Sequence, residues 1–378
     1  MAATTAQGTP SWLGAVNDRV GLAALLDHGP LTRIGICELV GVSKPTASLM
    51  MSRLIAAGVV EEQGTRTGTP GRSAVLYAAR LDRPLGVAVD LDAHELRAAV
   101  VDAAGTDHPV VRRPLAEDPA ERSAEREIAQ AIADACAAAG SDPDAVRTVC
   151  IGIPGYVDPG GAGELFTETL PGWPSTGLRD RLEEALGRRV LIENDVNLAA
   201  IAERRRGAGL DHQEFALLWL GNGVGASFDL GGELYRGTFG GAGEIGFLPV
   251  SADAGALDPT ARSLQDLVGG RAVAALTGGA APTAEQLDAL AERIAHAALP
   301  LLAVLDPGCL VLAGPTAALG GAPLAAAVES AIRRISRWYP AVLATGVTTD
   351  PVLAGAREFL RNRVRDDLLD TVARLAVS

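Results

Sequence analysis

Along the first eighty residues the apolar positions fall at helical spacing and then at strand spacing. Val20, Leu22, Ala23, Leu25 and Leu26 recur as one face of a helix over 17–26, with Asn17 placed to cap it and Gly29-Pro30 to stop it. A second short helix is predicted over 32–40, ending at Gly41. A third opens at Ser43, whose hydroxyl can cap it, with Pro45 in a first turn that needs no N–H. Its expected core positions are Leu49, Leu54 and Ile55. The runs 58–62 and 73–77 read as two strands around a tip rich in glycine and threonine. Two helices joined by a tight glycine turn and followed by a hairpin predict a winged helix-turn-helix over 11–80. Ser43, Lys44, Pro45, Thr46, Ser48 and Arg53 then face double-stranded DNA, while Arg66 and Arg72 on the wing suit phosphate or minor-groove contact. The plain alternative is a small helical domain with a solvated hairpin.

From Pro84 onward the pattern alternates between strands and helices. Residues 84–102 read as two paired strands with a turn near Asp92-Ala93, followed by a helix over 121–139 and a buried strand over 149–155. Another helix closes at 183–186. The run 190–197 reads as a strand delivering Asn194 and Asp195 at its C-terminal end, where ligands bind in α/β sheets, and 198–206 continues as helix. A strand over 310–314 and a closing helix over 356–377 complete an α/β body. Its expected halves are 82–195, joined by the C-terminal helix, and 196–378, with a cleft between them.

The second half opens on a glycine-rich stretch. Between Gly221 and Gly246 ten of twenty-six positions are glycine, where average usage predicts about two. Gly221, Gly223 and Gly225 follow the apolar run 215–220, a context in which backbone N–H groups can cradle a phosphate. Hairpin turns explain the same residues equally well.

The net charge of −13 opposes a chain that wraps nucleic acid along its whole length. Residues 1–80, however, hold seven Lys or Arg against five acids, so the head is +2 and the remainder −15. That asymmetry permits one DNA-contacting domain on an acidic body. Cys37, Cys136, Cys150 and Cys309 form no CxxC pair and read as buried thiols in a reducing compartment. Neither a signal segment nor an apolar run of membrane-spanning length is visible. A cytoplasmic protein with no membrane partner is expected.

Ile151-Gly-Ile-Pro-Gly155, Glu193-Asn-Asp195 with Ala199 to Glu203, Gly221-x-Gly-x-Gly225 and Gly240-Gly-Ala-Gly-Glu-Ile-Gly246 occur in one order. In carrying them the chain resembles the ROK family of repressors, open reading frames and kinases, nearly end to end. The resemblance implies a two-lobed, actin-like, sugar-kinase-type body behind the winged head. It implies sugar contacts at Asn194, Asp195, Glu244 and Gln265, and it makes Asp195 the general base if the chain is a kinase. Two departures stand out. Family kinases carry Asp-x-Gly-Gly-Thr where this chain has Asp90-Leu-Asp-Ala-His94, so at most Gly221, Gly223 and Gly225 remain of the nucleotide site. The family's zinc histidine is replaced by Phe247, and 256–265 lacks the family cysteines, so no metal is expected.

These features predict a DNA-binding regulator, a repressor of palindromic operators, that responds to a sugar or sugar phosphate and uses no ATP or other cofactor. A homodimer or homotetramer is implied. The competing expectation is a ROK-type hexose kinase with an accessory DNA-binding head.

Overall fold

The computed structural model describes residues 10–67, 73–160 and 163–375. Three helices open it: α1 (Pro10–His28), α2 (Arg33–Val40) and α3 (Lys44–Ala56). Helix α1 is already formed at Pro10, well before Asn17. The boundaries of α2 and α3 follow their caps. Thr32 Oγ1 accepts from Gly35 N, Gly41 ends α2 at φ 74°, and Ser43 Oγ accepts from Thr46 N. The wing is β2 (Val60–Thr67) against β3 (Ser73–Ala79), joined on its other edge by the short β1 (Leu31–Thr32).

The core face of α3 differs from expectation. Ala47, Met50, Met51 and Leu54 are buried, a spacing of three, one and three that forms one helical stripe. Leu49 and Ile55 lie beside that stripe, 62% and 37% exposed.

The body contains two five-stranded mixed sheets. Strands β4 (Leu85–Leu91), β5 (Glu95–Val101) and β6 (Val111–Pro114) lead to helix α4 (Ala124–Ala139) and strand β7 (Val146–Ile153). A small hairpin, β8 (Tyr156–Val157) with β9 (Leu165–Phe166), precedes α5 (Leu178–Leu186), β10 (Arg189–Asn194) and α6 (Asp195–Arg206). The second sheet begins with β11 (Glu214–Leu220), β12 (Val224–Leu230) and β13 (Glu233–Leu234). Helices α7 (Ala252–Leu257), α8 (Leu264–Val268), α9 (Gly270–Thr277) and α10 (Ala284–Leu305) follow. Strand β14 (Cys309–Ala313), α11 (Pro315–Ile335), β15 (Ala341–Ala344) and α12 (Pro351–Leu375) complete it.

Sheet orders β10-β7-β4-β5-β6 and β13-β12-β11-β14-β15 are the same arrangement read in opposite directions. In each, the first strand pairs antiparallel with the second and parallel with the strand that follows the long helix. All seven residues of β4 are buried, as a central strand covered on both faces requires.

Helix α12 does not stay with the second sheet. Its Ala356, Leu360, Val364, Leu368 and Val372 share one apolar cluster with Ala88 and Cys150 of the first sheet, Leu198 of α6, and Leu22, Leu25 and Leu26 of α1. Each buried leucine or valine among them contributes about 1.5–3 kcal/mol. One core therefore joins the head, the first sheet and the final helix.

Candidate functional site

Asn194 and Asp195 sit where β10 turns into α6. Asn194 ends β10, as expected of it, and is the N-cap of α6: its Oδ1 accepts from Asn197 N and its Nδ2 donates to Gly155 O, both at 3.0 Å. It thereby holds the Ile151-to-Gly155 loop against the start of α6. Asp195 is the first helical residue and accepts from Val196 N at 2.8 Å. Burial raises its carboxyl to about 7, and the charges of Asp90 and Glu244 push in the same direction. Glu244 is raised by burial and then by Glu168, which lies just after β9 in the chain. The sequence-predicted pair Asp195 and Glu244 is thus brought together, and Glu168 joins it. Sequence reasoning passed over Glu168, which carries no motif.

Neighbouring polar residues are structural. Glu193 accepts from Asn197 Nδ2 and Arg236 Nε. Buried Glu203 accepts from the backbone N–H groups of Ala208, Gly346 and Val347 and from the Thr345 hydroxyl, pinning the end of α6 to the loop after β15.

At the β4–β5 turn the phosphate-cradling glycines of the kinases are replaced by an internally closed arrangement. Asp92 Oδ1 accepts from the N–H groups of His94 and Glu95, each at 2.8 Å. Arg97 reaches Asp90 at 2.9 Å, Asp92 at 3.0 Å and Glu95 at 2.9 Å. Burial pushes Asp90 up to about 6 despite Arg97. For Asp92 burial acts upward too, but the two amides and Arg97 outweigh it and hold the carboxyl low. The N–H groups of His94 and Glu95 are thus spent on the chain's own carboxylate.

The glycine-rich stretch is a hairpin. Strands β11 and β12 pair antiparallel from Glu214–Leu230 to Leu220–Val224, with Gly221 N bonded to Gly223 O across the turn. Gly243 lies at φ 94°, and a Cβ there would stand 1.9 Å from the carbonyl oxygen of Ala226. At Gly246 the clash would be with Val224 O at 2.6 Å. These glycines let the 240–246 segment lie directly on β12. Gln265, expected at the sugar, is instead occupied with this turn: it accepts from Val224 N and donates to Asn222 O. Phe247 is 67% exposed and brings no ligating atom to the place of the family's zinc histidine. Asp258, in the segment where the cysteines would stand, is held by Thr260 and Arg293. The residues present do not fit a zinc ion.

In the head, Ser43, Lys44 and Pro45 are exposed at the start of α3, with Thr46 and Ser48 half-buried beside them. Ser48 Oγ donates to Lys44 O within the helix. Arg53 departs from the DNA-facing expectation. Its Nε and Nη2 bind Asp18 at 2.7 and 2.6 Å, which ties α3 to α1 because Asp18 is only 5% exposed and needs a partner. Arg72 lies outside the described residues, and so does the side chain of Arg66. Among the described residues no helix is long and apolar enough to cross a membrane.

The ROK family model matches residues 86–261. The xylose repressor of Caldicellulosiruptor bescii is 25% identical over 246 residues, 65% of this chain and 61% of that protein. The chain thus spans about three-fifths of the length of such curated relatives. A solved ROK-family transcriptional regulator, described as a homologue of the E. coli MLC protein, shares the fold with TM-score 0.66 at 18% identity, covering 96% of this chain and 99% of that one. A ROK glucokinase from Streptomyces griseus, solved with glucose and AMPPNP, matches with TM-score 0.57 at 26% identity over 73% of this chain and 98% of its own. Family model, motif order and the paired sheets agree in what residues 86–261 are similar to: a ROK family domain.

Proposed function

We propose that the chain is a sugar-responsive transcriptional repressor whose kinase-like body has become an effector sensor. Residues 11–80 read operator DNA, and the lobes 82–195 and 196–378 hold the effector between them, with α12 returning to the first lobe. The observation that carries this reading is the continuous core in which α12 packs on both α1 of the head and the first sheet. A change in lobe closure felt by α6 reaches α12 where Gly355 meets Leu198, and reaches the head through α12. A repressor acting as a two-fold dimer then presents two heads at a spacing that the effector alters, consistent with palindromic operators. Such a protein works in the cytoplasm.

The effector is read as a neutral sugar rather than a sugar phosphate. Asp195, Glu244 and Glu168 place like charge on one another in the cleft, and a phosphate would add to that repulsion. Asn194 holds the 151–155 loop to the start of α6, while Gln265 clamps the glycine turn.

One observation favours a kinase. Asp195, raised to about 7, has a proton affinity suited to a general base on a sugar hydroxyl. Against it, the turn that would cradle phosphate is closed by Asp92 and overlaid by Arg97. A phosphoryl donor meets the Asp92 carboxylate already on the amides of His94 and Glu95, and a guanidinium already committed to Asp90, Asp92 and Glu95. We therefore assign no catalytic residue and no cofactor.

Thermal unfolding with a panel of neutral sugars, sugar phosphates and ATP tests the assignment. A neutral sugar at one hundred times its Kd stabilises by about 2.7 kcal/mol, and Asp195→Asn weakens that response. Stabilisation by ATP together with sugar phosphorylation would replace the repressor reading with the kinase one.

A further inference from the structure

The DNA-facing side of α3 is poor in the side chains that read base edges by hydrogen bonds. From Ser43 to Arg53 there is no Asn, Gln, Asp or Glu, and the single arginine, Arg53, is engaged by Asp18. The serines are turned inward on their own helix. Ser48 Oγ donates to Lys44 O and Ser52 Oγ to Ser48 O, both at 3.0 Å, and the Ser43 and Thr46 hydroxyls bond to each other at 2.8 Å. Lys44 is left as a point charge, fit for phosphate.

Between these groups stands Leu49, 62% exposed, one turn after Pro45 and three residues before exposed Ser52. A large apolar side chain gains nothing from water, and the buried stripe at Ala47, Met50, Met51 and Leu54 shows that the helix packs without it. The major groove offers one apolar group on a base edge, the C5-methyl of thymine. Leu49 is positioned on the helix that enters that groove, in the basic part of an acidic chain.

We infer that Leu49 is a specificity-determining residue of the head, reading thymine through its C5-methyl group in each operator half-site. The inference rests on the DNA-binding reading proposed above. It names the chemistry that selects the sequence, which Lys44 and the serine backbone contacts do not.

The test uses the full chain and a fragment of its own promoter region, amplified either with thymidine or with deoxyuridine, which lacks only the methyl. Wild type binds the uracil fragment about four-fold more weakly per methyl contacted. Leu49→Ala binds the thymine fragment more weakly by a similar factor and no longer distinguishes the two. Its unchanged melting temperature shows that the exposed position is not needed for folding. Equal wild-type affinity for both fragments overturns the inference while leaving DNA binding intact. So does a Leu49→Ala variant that keeps the full thymine preference. Leu49→Ala with unaltered DNA affinity but altered self-association makes Leu49 a protein contact instead. Absence of any salt-sensitive, fragment-specific binding by wild type overturns the DNA reading along with it.

Discussion

Arg365, in the closing helix, holds Asp27 of the first helix through both terminal nitrogens, at 2.6 and 2.9 Å and 338 positions apart in sequence. Arg19 and Asp370 add a second link between the same two helices, at 2.9 Å. These pairs lie at the rim of the apolar contact between α1 and α12, so they fix its orientation more than its strength.

Removing the first pair should therefore separate stability from signalling. Asp27→Ala and Arg365→Ala each cost at most about 1 kcal/mol, because Asp27 is close to half exposed. The same variants blunt the change in promoter affinity that the effector produces. Denaturant melts beside promoter titrations with and without sugar check both halves; an undiminished response contradicts the proposed route through α12.

At Gly355 the backbone of α12 lies directly against that of α6. A Cβ added there would stand 1.7 Å from the carbonyl oxygen of Leu198, whereas one added at Gly223 meets nothing within 4 Å. Gly355→Ala should destabilise by about 1–3 kcal/mol through overpacking, and Gly223→Ala should stay within about 0.5 kcal/mol of wild type. Denaturation midpoints at constant slope distinguish the two.

How far the sequence spoke for itself depended on the range of the cause. The α2 and α3 boundaries were legible because Thr32, Gly41 and Ser43 act within a turn of where they stand. The order of motifs was enough to anticipate the two-lobed body. Contacts set by distant partners were not legible: Arg53 is committed by Asp18, Gln265 by the backbone at Asn222 and Val224, and the exposure of Leu49 by which side of α3 faces α1. Asp195 and Glu244 stand within motifs that the sequence displays. Glu168 was missed because only the folded chain brings it near Glu244.

Lys44 and Arg53 should respond differently to alanine. Lys44→Ala lowers promoter affinity and reduces the salt slope by about 1. Arg53→Ala leaves Asp18 buried without its partner and costs about 1–3 kcal/mol of stability, with no matching change in salt slope. Salt titrations of promoter binding paired with melts separate a phosphate contact from a strut.

Asp195 sets a pH dependence. Its folded value of about 7 lies above the ordinary 3.8, so the folded chain keeps a proton that the unfolded chain releases between those values. That contribution is present at low pH and lost as pH rises through 7. Asn cannot ionise, so the melting-temperature gain of Asp195→Asn over wild type should grow from pH 5 to pH 8 and level off above. Asp90, raised to about 6, acts in the same direction, and because its charge also raises Asp195 the comparison reads the two as a pair.

The central claim is that a sugar in the cleft controls the head. It is tested most directly by titrating the full chain onto its own promoter fragment at two salt concentrations, with and without the neutral sugar that stabilises it. The account predicts salt-steep, fragment-specific binding that the sugar shifts, with the shift lost in Asp195→Asn. DNA binding that no sugar alters, or ATP-dependent phosphorylation of that sugar, would contradict it.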